Sequence, residues 1–299
     1  LVAGPIERSG HLLSQIEEIS RKPSWNFDKV TRGLLMMLWG YFMKLVIADR
    51  AAALVDTVFP IYYMFDGVAL ALTMIMFGFQ LYCDFASYSA IAIGASSVLG
   101  IELCPNFAAP FFSSSVSEFW RRWHISLQTW FRDYVYFPLG GSRVSKPRLV
   151  LNLFVVWALT GIWHGANWTF LAWGLLYFVL LTFEKLSGLG KKNYWWGHIY
   201  TMVFVIIGWV IFRSTGMGTA MLYIKAMFGI GAKGFMDKAV WAYIAQNWIW
   251  FVFALIGCAP IMPRIDEKLG KYKAWNIVYA VGIVTILVVS VSFISNNAY

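Results

Sequence analysis

The sequence predicts an all-α membrane protein: a polytopic bundle of transmembrane helices with additional re-entrant or amphipathic helices. Three observations support this class. Of the 299 residues, 60% are hydrophobic and only 13% are charged, whereas soluble domains are about 25% charged. The mean hydropathy is +0.63. Long apolar runs recur along the chain, and runs of about 20 such residues are typical of membrane-spanning helices.

The charge balance indicates contact with membrane lipid rather than with nucleic acid. The formal net charge is +9, but the basic residues lie in short segments between apolar runs. Such segments match anionic headgroups and loops on the cytoplasmic side. The three cysteines, Cys83, Cys104 and Cys258, have no zinc-binding spacing. We therefore expect them to be small core residues, and we expect no metal site.

The first half of the chain divides into a polar segment and two apolar ones. Residues 5–32 are the most charged stretch and predict a helix and loop at the membrane surface. Residues 34–58 are mostly apolar, and residues 67–101 hold one charged residue, Asp84. At about 1.5 Å per residue, the second run would form a helix of about 50 Å. Because a hydrocarbon core is roughly 30 Å thick, this helix must tilt, break or extend beyond it.

The second half contains another run that is too long for one span. Residues 149–183 include no Asp, Glu, Lys or Arg, and a helix break is expected at Gly165-Ala166-Asn167. Three further spans are predicted at 199–213, 241–260 and 276–295. We expect residues 1–299 to form a single domain that is truncated at the N-terminus, and we allow for truncation at the C-terminus as well.

The segment FWRRWHISLQTWFRDY, residues 119–134, predicts an amphipathic helix. Ser115 and Glu118 form a capping box at its start, and Pro138 would end it. At 100° per residue the faces separate into Trp120, Trp123, Leu127, Trp130, Phe131 and Tyr134 on one side, and Arg121, Arg122, Thr129, Arg132 and Asp133 on the other. Such a helix suits a membrane interface or a re-entrant position. His124 lies at the margin of the aromatic face, where it would either bond to a backbone carbonyl or serve the chemistry.

His164 is the stronger candidate for a functional histidine. It is the only group in residues 149–183 that titrates near neutral pH. Polar groups at membrane depth are costly and usually mark a function, and an imidazole can take and return a proton. A purely structural histidine is the alternative.

Asp84 belongs to a polar stripe at helical spacing, which consists of Gln80, Asp84, Ser87 and Tyr88. Such a stripe indicates a lined cavity or helix–helix contacts. A carboxylate in this position needs a cation, and the candidates are Lys44, Arg121 and Arg122. A structural ion pair and a functional role are both open. Common soluble motifs such as the P-loop or GxSxG are absent from the sequence, which leaves an enzyme working at the membrane or a transporter.

Four blocks of sequence together resemble the membrane-bound O-acyltransferase (MBOAT) family. They are LVAGPIERS (1–9), QLYCDFASYSAIAIGAS (80–96), FWRRWHISLQTWFRDYVYFPLGGSR (119–143) and LTGIWHGANWTF (159–170). The likeness extends from residue 1 to about residue 185 and is greatest to the bacterial alginate O-acetyltransferase-like branch. That branch also includes the D-alanyl transfer protein of teichoic acid modification. One departure is Ala90, where the branch often has an aspartate.

The resemblance implies the MBOAT fold, a many-helix bundle with a central tunnel, and an acyltransferase activity. An acetyl or other short acyl group would move from a cytoplasmic thioester such as acetyl-CoA towards hydroxyls of an exported polysaccharide or cell-wall polymer. It implies His164 and His124 as catalytic residues. The candidates for lining the tunnel are Asp84, Gln80, Trp120, Arg121, Arg122, Trp163 and Asn167.

The resemblance also implies the cellular setting. We expect a multi-pass protein of the cytoplasmic membrane, with a secreted or membrane-anchored SGNH-type acetyltransferase as partner and a polysaccharide as acceptor. Acetyl-CoA, or another acyl thioester, would be a donor substrate, and no permanently bound cofactor is expected. The alternatives are D-alanyl transfer to teichoic acid from a carrier-protein thioester, and a transporter that performs no chemistry.

Overall fold

The computed structural model describes residues 4–21, 26–191, 194–231, 237–259, 265, 268–269 and 271–296, and its architecture is helical. The described α-helices are α1 (Ser9–Arg21), α2 (Phe27–Phe42), α3 (Asp49–Val58), α4 (Gly67–Val98), α5 (Val116–Arg122), α6 (Ile125–Phe131), α7 (Lys146–His164), α8 (Trp168–Ser187), α9 (Trp195–Arg213), α10 (Met217–Met227), α11 (Lys238–Gln246), α12 (Trp248–Cys258) and α13 (Lys273–Asn296). Met43–Ala48 and Arg132–Tyr136 are π-helical, and Phe59–Met64, Pro110–Phe112 and Leu189–Lys191 form 3-10 turns. The all-α prediction is confirmed for the described residues.

Several of these helices are long and apolar enough to cross a membrane. In the described part of the chain they are Phe27–Met64, Gly67–Val98, Trp168–Ser187, Trp195–Arg213 and Ile277–Ile294. The 32-residue α4 runs without a break. Of the three outcomes expected for residues 67–101, a broken helix is therefore excluded, and tilting or extension beyond the hydrocarbon core remains. The span predicted at 241–260 is not continuous, because α11 and α12 meet at a bend of 70°. The chain is thus a multi-pass membrane protein.

The chain folds into two compact units. The first contains Leu1–Ala53, Phe79–Ala108 and Gln246–Tyr299, and the second contains Leu54–Gly78 and Ala109–Ala245. In the first unit, α2 and the π-helical Met43–Ala48 pack against α13. In the second unit, α7 and α8 form a hairpin, and α8 packs against α5 and α9. The single-domain expectation stays a prediction.

The α7–α8 hairpin depends on glycine at the line of contact. A Cβ atom on Gly174 would lie 2.4 Å from the Trp157 carbonyl oxygen, and one on Gly161 would lie 2.6 Å from the Phe170 carbonyl oxygen. Small residues of this kind let two membrane helices approach backbone to backbone. The hairpin turns at Gly165, whose φ is 156°, a value suited to glycine. The break expected at residues 165–167 is confirmed.

The helix predicted across residues 119–134 is not continuous, and this prediction is wrong. The chain leaves α5 at Trp123 in an extended conformation and passes through the left-handed region at His124, with φ 48° and ψ 53°, before α6 begins. Periodicity continues through the break, so it gave no signal of it. Only part of the predicted aromatic face is buried. Trp120, Trp123, Leu127 and Phe131 are buried, but Trp130 and Tyr134 are exposed.

Candidate active site

His164 is the last residue of α7, and its ring orientation is set by its own helix. The Nδ1 atom lies 2.7 Å from the backbone oxygen of Thr160, one turn earlier. A carbonyl oxygen can only accept a hydrogen bond, so Nδ1 carries the proton and donates it. Nε2 is then the nitrogen with the free lone pair. The local geometry therefore selects Nε2 as the nitrogen that can act as a base.

Aromatic rings surround the His164 imidazole. Its ring centroid lies 4.8 Å from that of Trp163, 4.7 Å from that of Trp173 and 5.4 Å from that of Phe212, each pair meeting edge to face. Trp173 is buried, whereas Trp163 is 47% exposed. The imidazole is thus enclosed on several sides by apolar surface, and this surface restricts the access of water to it.

His124 also lies beside Trp163. The two ring centroids are 6.0 Å apart, and His124 is only 4% exposed. It lies in the break between α5 and α6, outside the candidate spans. Burial, followed by the nearby His164, lowers the pKa of His124 to about 3, so its imidazole is neutral at physiological pH. Non-glycine residues rarely adopt the left-handed conformation found here, and such residues cluster at functional sites.

Trp120 connects α5 to the aromatic cluster on α7 and α8. Its ring contacts those of Trp157, Trp173 and Tyr177 at centroid distances of 4.9, 5.5 and 4.8 Å. Its Nε1–H is buried and has no hydrogen-bond partner among the described residues. Because Trp173 also contacts His164, the predicted residues Trp120, Trp163, His124 and His164 belong to one aromatic site. Trp173, the residue that joins them, was not singled out from the sequence.

The two arginines of the WRRW segment differ in their surroundings. Arg121 is exposed. Arg122 pairs with Glu118 at 2.6 Å and donates to the backbone oxygen of Ala109 at 3.3 Å. The described contacts of Arg122 therefore connect the last turn of α5 to its first turn and to Ala109, which precedes the helix. Its role as a tunnel-lining residue stays a prediction.

Asn167 acts as the N-terminal cap of α8. Its side-chain oxygen accepts a hydrogen bond from the backbone N–H of Thr169 at 3.1 Å, and its side-chain nitrogen donates to the backbone oxygen of Thr215 at 3.3 Å. These contacts stabilise the turn that follows His164. Of the predicted residues on either side of His164, Trp163 contacts the imidazole.

Gln80 and Asp84 belong to the first compact unit. The Asp84 carboxylate pairs with Lys44 at 2.6 Å, and Lys44 also pairs with Asp49 at 3.2 Å. Lys44, one of the three predicted partners, is therefore the cation beside Asp84. Lys44 lies within a π-helical turn, a feature that is frequent at functional sites. The Asp84 side chain is half exposed, and both the structural and the functional interpretation stay open.

Glu184 is a buried carboxylate that the sequence interpretation missed. It lies one residue after the uncharged run, is 1% exposed, and binds the first turn of α5. Its two oxygens accept hydrogen bonds from the backbone N–H groups of Val116 at 2.7 Å and Ser117 at 2.8 Å. The negative charge also complements the positive end of the helix. Glu184 thus anchors the helix that carries Trp120 and ends beside His124.

Glu118 completes the anchoring of α5. The backbone N–H of Glu118 donates to the Ser115 hydroxyl at 3.0 Å, as the capping box predicts, while its carboxylate accepts from Ser114 N–H at 2.8 Å. Burial raises the pKa of this carboxyl, but the Ser114 hydrogen bonds and the positive charge of Arg122 outweigh it, so the pKa lies below its usual range. Glu118 is therefore ionised at neutral pH.

Comparison with known proteins gives a consistent result. Residues 1–224 match the sequence profile described as "MBOAT, membrane-bound O-acyltransferase family". A protein of Pseudomonas syringae pv. tomato named "Probable alginate O-acetylase" is 40% identical over 234 residues, which are 77% of this chain and 44% of that protein. The "Peptidoglycan O-acetyltransferase" of Helicobacter pylori is 33% identical over 77% of this chain and 45% of its own length.

A third relative is the "Teichoic acid D-alanyltransferase" of Bacillus subtilis. It is 30% identical over 71% of this chain and 58% of its own length. The chain spans about half the length of the curated relatives it matches. The family match over residues 1–224 includes both histidines and all the aromatic residues of the site.

Proposed function

The chain belongs to the membrane-bound O-acyltransferase family, and on that premise we propose that it transfers an acetyl or other short acyl group from a thioester to hydroxyls of an exported polysaccharide or cell-wall polymer. The proposal includes a cytoplasmic thioester, such as acetyl-CoA, as donor and the cytoplasmic membrane as location. The names of the alginate and peptidoglycan relatives support this class of acceptor.

His164 is the general base in this proposal. Its Nε2 takes the proton of the acceptor hydroxyl while the hydroxyl oxygen bonds to the thioester carbonyl carbon. When the carbon–sulfur bond breaks, the imidazolium returns the proton to the leaving thiolate. The observation that carries the proposal is the 2.7 Å hydrogen bond from Nδ1 to the Thr160 backbone oxygen. This bond keeps Nε2 unprotonated and stabilises the imidazolium that forms.

The aromatic surroundings have a second role. Trp163, Trp173 and Phe212 contact the imidazole, and the water that such rings exclude can no longer screen electrostatic interactions or hydrolyse the thioester. Neutral His124 assists from beside Trp163, where it shapes the site and can hydrogen-bond a substrate. The unpaired Trp120 N–H offers a further donor within the same cluster.

The test is a His164→Gln variant in the native organism. Ester-linked acetyl on the surface polymer is measured by mass spectrometry, and protein abundance by immunoblotting. General-base catalysis contributes about 10²–10⁴-fold, so acetylation should fall by at least about a hundredfold. The matched control is His198→Gln, an exposed histidine in α9. Wild-type acetylation at unchanged abundance of the His164 variant would reject the assignment.

D-alanyl transfer is the second candidate, and the 30% identity to the teichoic acid D-alanyltransferase of Bacillus subtilis favours it. The same mass spectra separate the two, because a D-alanyl ester and an acetyl ester differ in mass. Neighbouring genes also discriminate: an SGNH-type secreted or membrane-anchored partner accompanies the first proposal, and a D-alanine carrier protein the second. A transporter without chemistry is rejected if the purified protein cleaves or transfers acetyl from acetyl-CoA.

A further inference from the structure

Three potential metal ligands converge in the first compact unit. Glu7 precedes α1, His11 lies in its first turn, and Cys104 lies in the segment after α4. One ligand atom from each side chain lies within 4.8 Å of the other two. We propose that Glu7, His11 and Cys104 bind a divalent transition-metal ion of the zinc class. The site is separate from the histidines of the proposed acyl transfer, and it does not depend on that function.

The Glu7 carboxylate is the centre of the cluster. Its Oε2 lies 2.8 Å from Nδ1 of His11, and its Oε1 accepts a hydrogen bond from the backbone N–H of Cys104. The Cys104 Sγ lies within 4.8 Å of a carboxylate oxygen of Glu7 and of a ring nitrogen of His11. The Glu7 side chain is 3% exposed, whereas that of His11 is 50% exposed, and Cys104 is exposed as well. The cluster thus joins a buried anion to two ligands that solvent ions can reach.

Neighbouring contacts hold the ligands in place without an ion. Gln15 of α1 forms a reciprocal pair with the backbone of Glu102, accepting from its N–H at 2.8 Å and donating to its carbonyl at 3.0 Å. Lys29 pairs with the Glu102 side chain at 2.9 Å. The segment that carries Cys104 is therefore fixed against α1 two residues before the thiol. A preorganised set of ligands lowers the entropic cost of binding an ion.

The ligand chemistry favours zinc-like ions over calcium or magnesium. A thiolate sulfur, an imidazole nitrogen and a carboxylate oxygen are all common zinc ligands, at about 2.0–2.3 Å, whereas calcium and magnesium prefer oxygen alone. Binding breaks the Cys104 S–H bond, forms the sulfur–metal bond and releases the proton to solvent. It also replaces the hydrogen bond between Glu7 and His11. Three protein ligands leave a fourth position for water.

Sequence spacing gives no indication of this site, because the thiol lies far along the chain from Glu7 and His11. The expectation that the protein has no metal site rested on the absence of a local cysteine pattern. The chain returns to α1 only after it has passed through α4.

The experiment uses Co²⁺ as a spectroscopic probe with the purified, chelator-treated chain in detergent. Replacing Cys83 and Cys258 with alanine leaves Cys104 as the only thiol, since the chain has three cysteines. We expect one Co²⁺ per chain, a near-ultraviolet thiolate-to-metal absorption band, and displacement by Zn²⁺. Cys104→Ser should abolish the band. Glu7→Gln and His11→Gln should each weaken binding by more than about tenfold, because loss of even an outer-shell partner of a ligand costs about 10–100-fold, while His198→Gln should not.

A second measurement guards against misfolded variants. Zn²⁺ should raise the unfolding temperature of the wild-type chain and leave that of Cys104→Ser unchanged. If the band is absent and Zn²⁺ does not shift the unfolding temperature, the cluster is a hydrogen-bonded contact only. If the band forms but is insensitive to Glu7→Gln and His11→Gln, it reports a lone thiol. Either result overturns the proposal, and neither bears on acyl transfer by His164.

Discussion

Replacing Glu184 is expected to release the first turn of α5. The two N–H groups that it binds, those of Val116 and Ser117, have the carboxylate as their described partner. In Glu184→Ala both donors lose it. A buried backbone group without a partner costs about 1–3 kcal/mol, so the loss of stability should be about 2–6 kcal/mol. Val116 is fully buried and Ser117 only partly, so water can reach Ser117 and the lower half of that range is expected.

Glu184→Gln refines the same prediction. An amide retains one acceptor oxygen but turns its NH₂ group towards the second backbone N–H, so two donors face each other. It also removes the charge that favours the helix N-terminus, an effect of about 0.3–1 kcal/mol, up to about 2 when partly buried. The glutamine variant should therefore be destabilised as well, but less than the alanine variant. This order of stability, wild type above glutamine above alanine, is expected because each of the two Glu184 oxygens accepts one backbone hydrogen bond.

The assay combines hydrogen exchange and thermal unfolding of the purified chain in detergent. The amides of Val116 and Ser117 should exchange faster in both Glu184 variants, while amides in α9 serve as the internal reference. The control substitution is Lys185→Ala, because Lys185 is the exposed neighbour. The reasoning is refuted if Glu184→Ala matches Lys185→Ala in unfolding temperature and leaves exchange at residues 116 and 117 unchanged.

Three further predictions concern the same unit. Gly174→Ala should separate α7 from α8 and lower the free energy of unfolding by about 1–3 kcal/mol, because its Cβ would lie 2.4 Å from the Trp157 carbonyl oxygen. Thermal unfolding measures this loss. The control is Gly282→Ala, where a Cβ meets no described atom within 4 Å. His124→Val should lose about 1–2 kcal/mol more stability than His124→Asn, because a β-branched residue tolerates the left-handed conformation poorly and asparagine accepts it; equal unfolding temperatures would contradict the assigned backbone. The lowered pKa of Glu118 contributes stability that is present above the unfolded pKa of this carboxyl and is lost as the pH falls through its folded pKa. The difference in unfolding temperature between wild type and Glu118→Gln should therefore shrink below about pH 4.5 and stay constant above it.

Some of the site was predictable because its signals are local in sequence. His164 was identified because it is the only group in residues 149–183 that titrates near neutral pH, and the hairpin turn after it because Gly165-Ala166-Asn167 suits a helix break. The capping hydroxyl of Ser115 was also predicted, since its hydrogen bond closes within three residues. These features depend on composition and on contacts within about one helical turn.

Other parts were missed because no local pattern encodes them. The break at His124 interrupts a regular aromatic periodicity that would suit a continuous helix. Glu184 acts on residues far earlier in the chain. For Asp84 the sequence supplied three possible cations, and only the packing of the first unit identified Lys44.

The sequence by itself determined that this is a multi-pass helical membrane protein of a recognisable family, with His164 as its most conspicuous polar group. Hydrophobic composition and helical period suffice for that, because both follow from short stretches of chain. The tertiary structure alone decided how α5 is anchored, that His124 lies in a left-handed turn beside Trp163, and that Cys104 meets Glu7 and His11. Each of these depends on close packing between segments distant along the chain, which satisfies buried polar groups that no single helix can satisfy by itself.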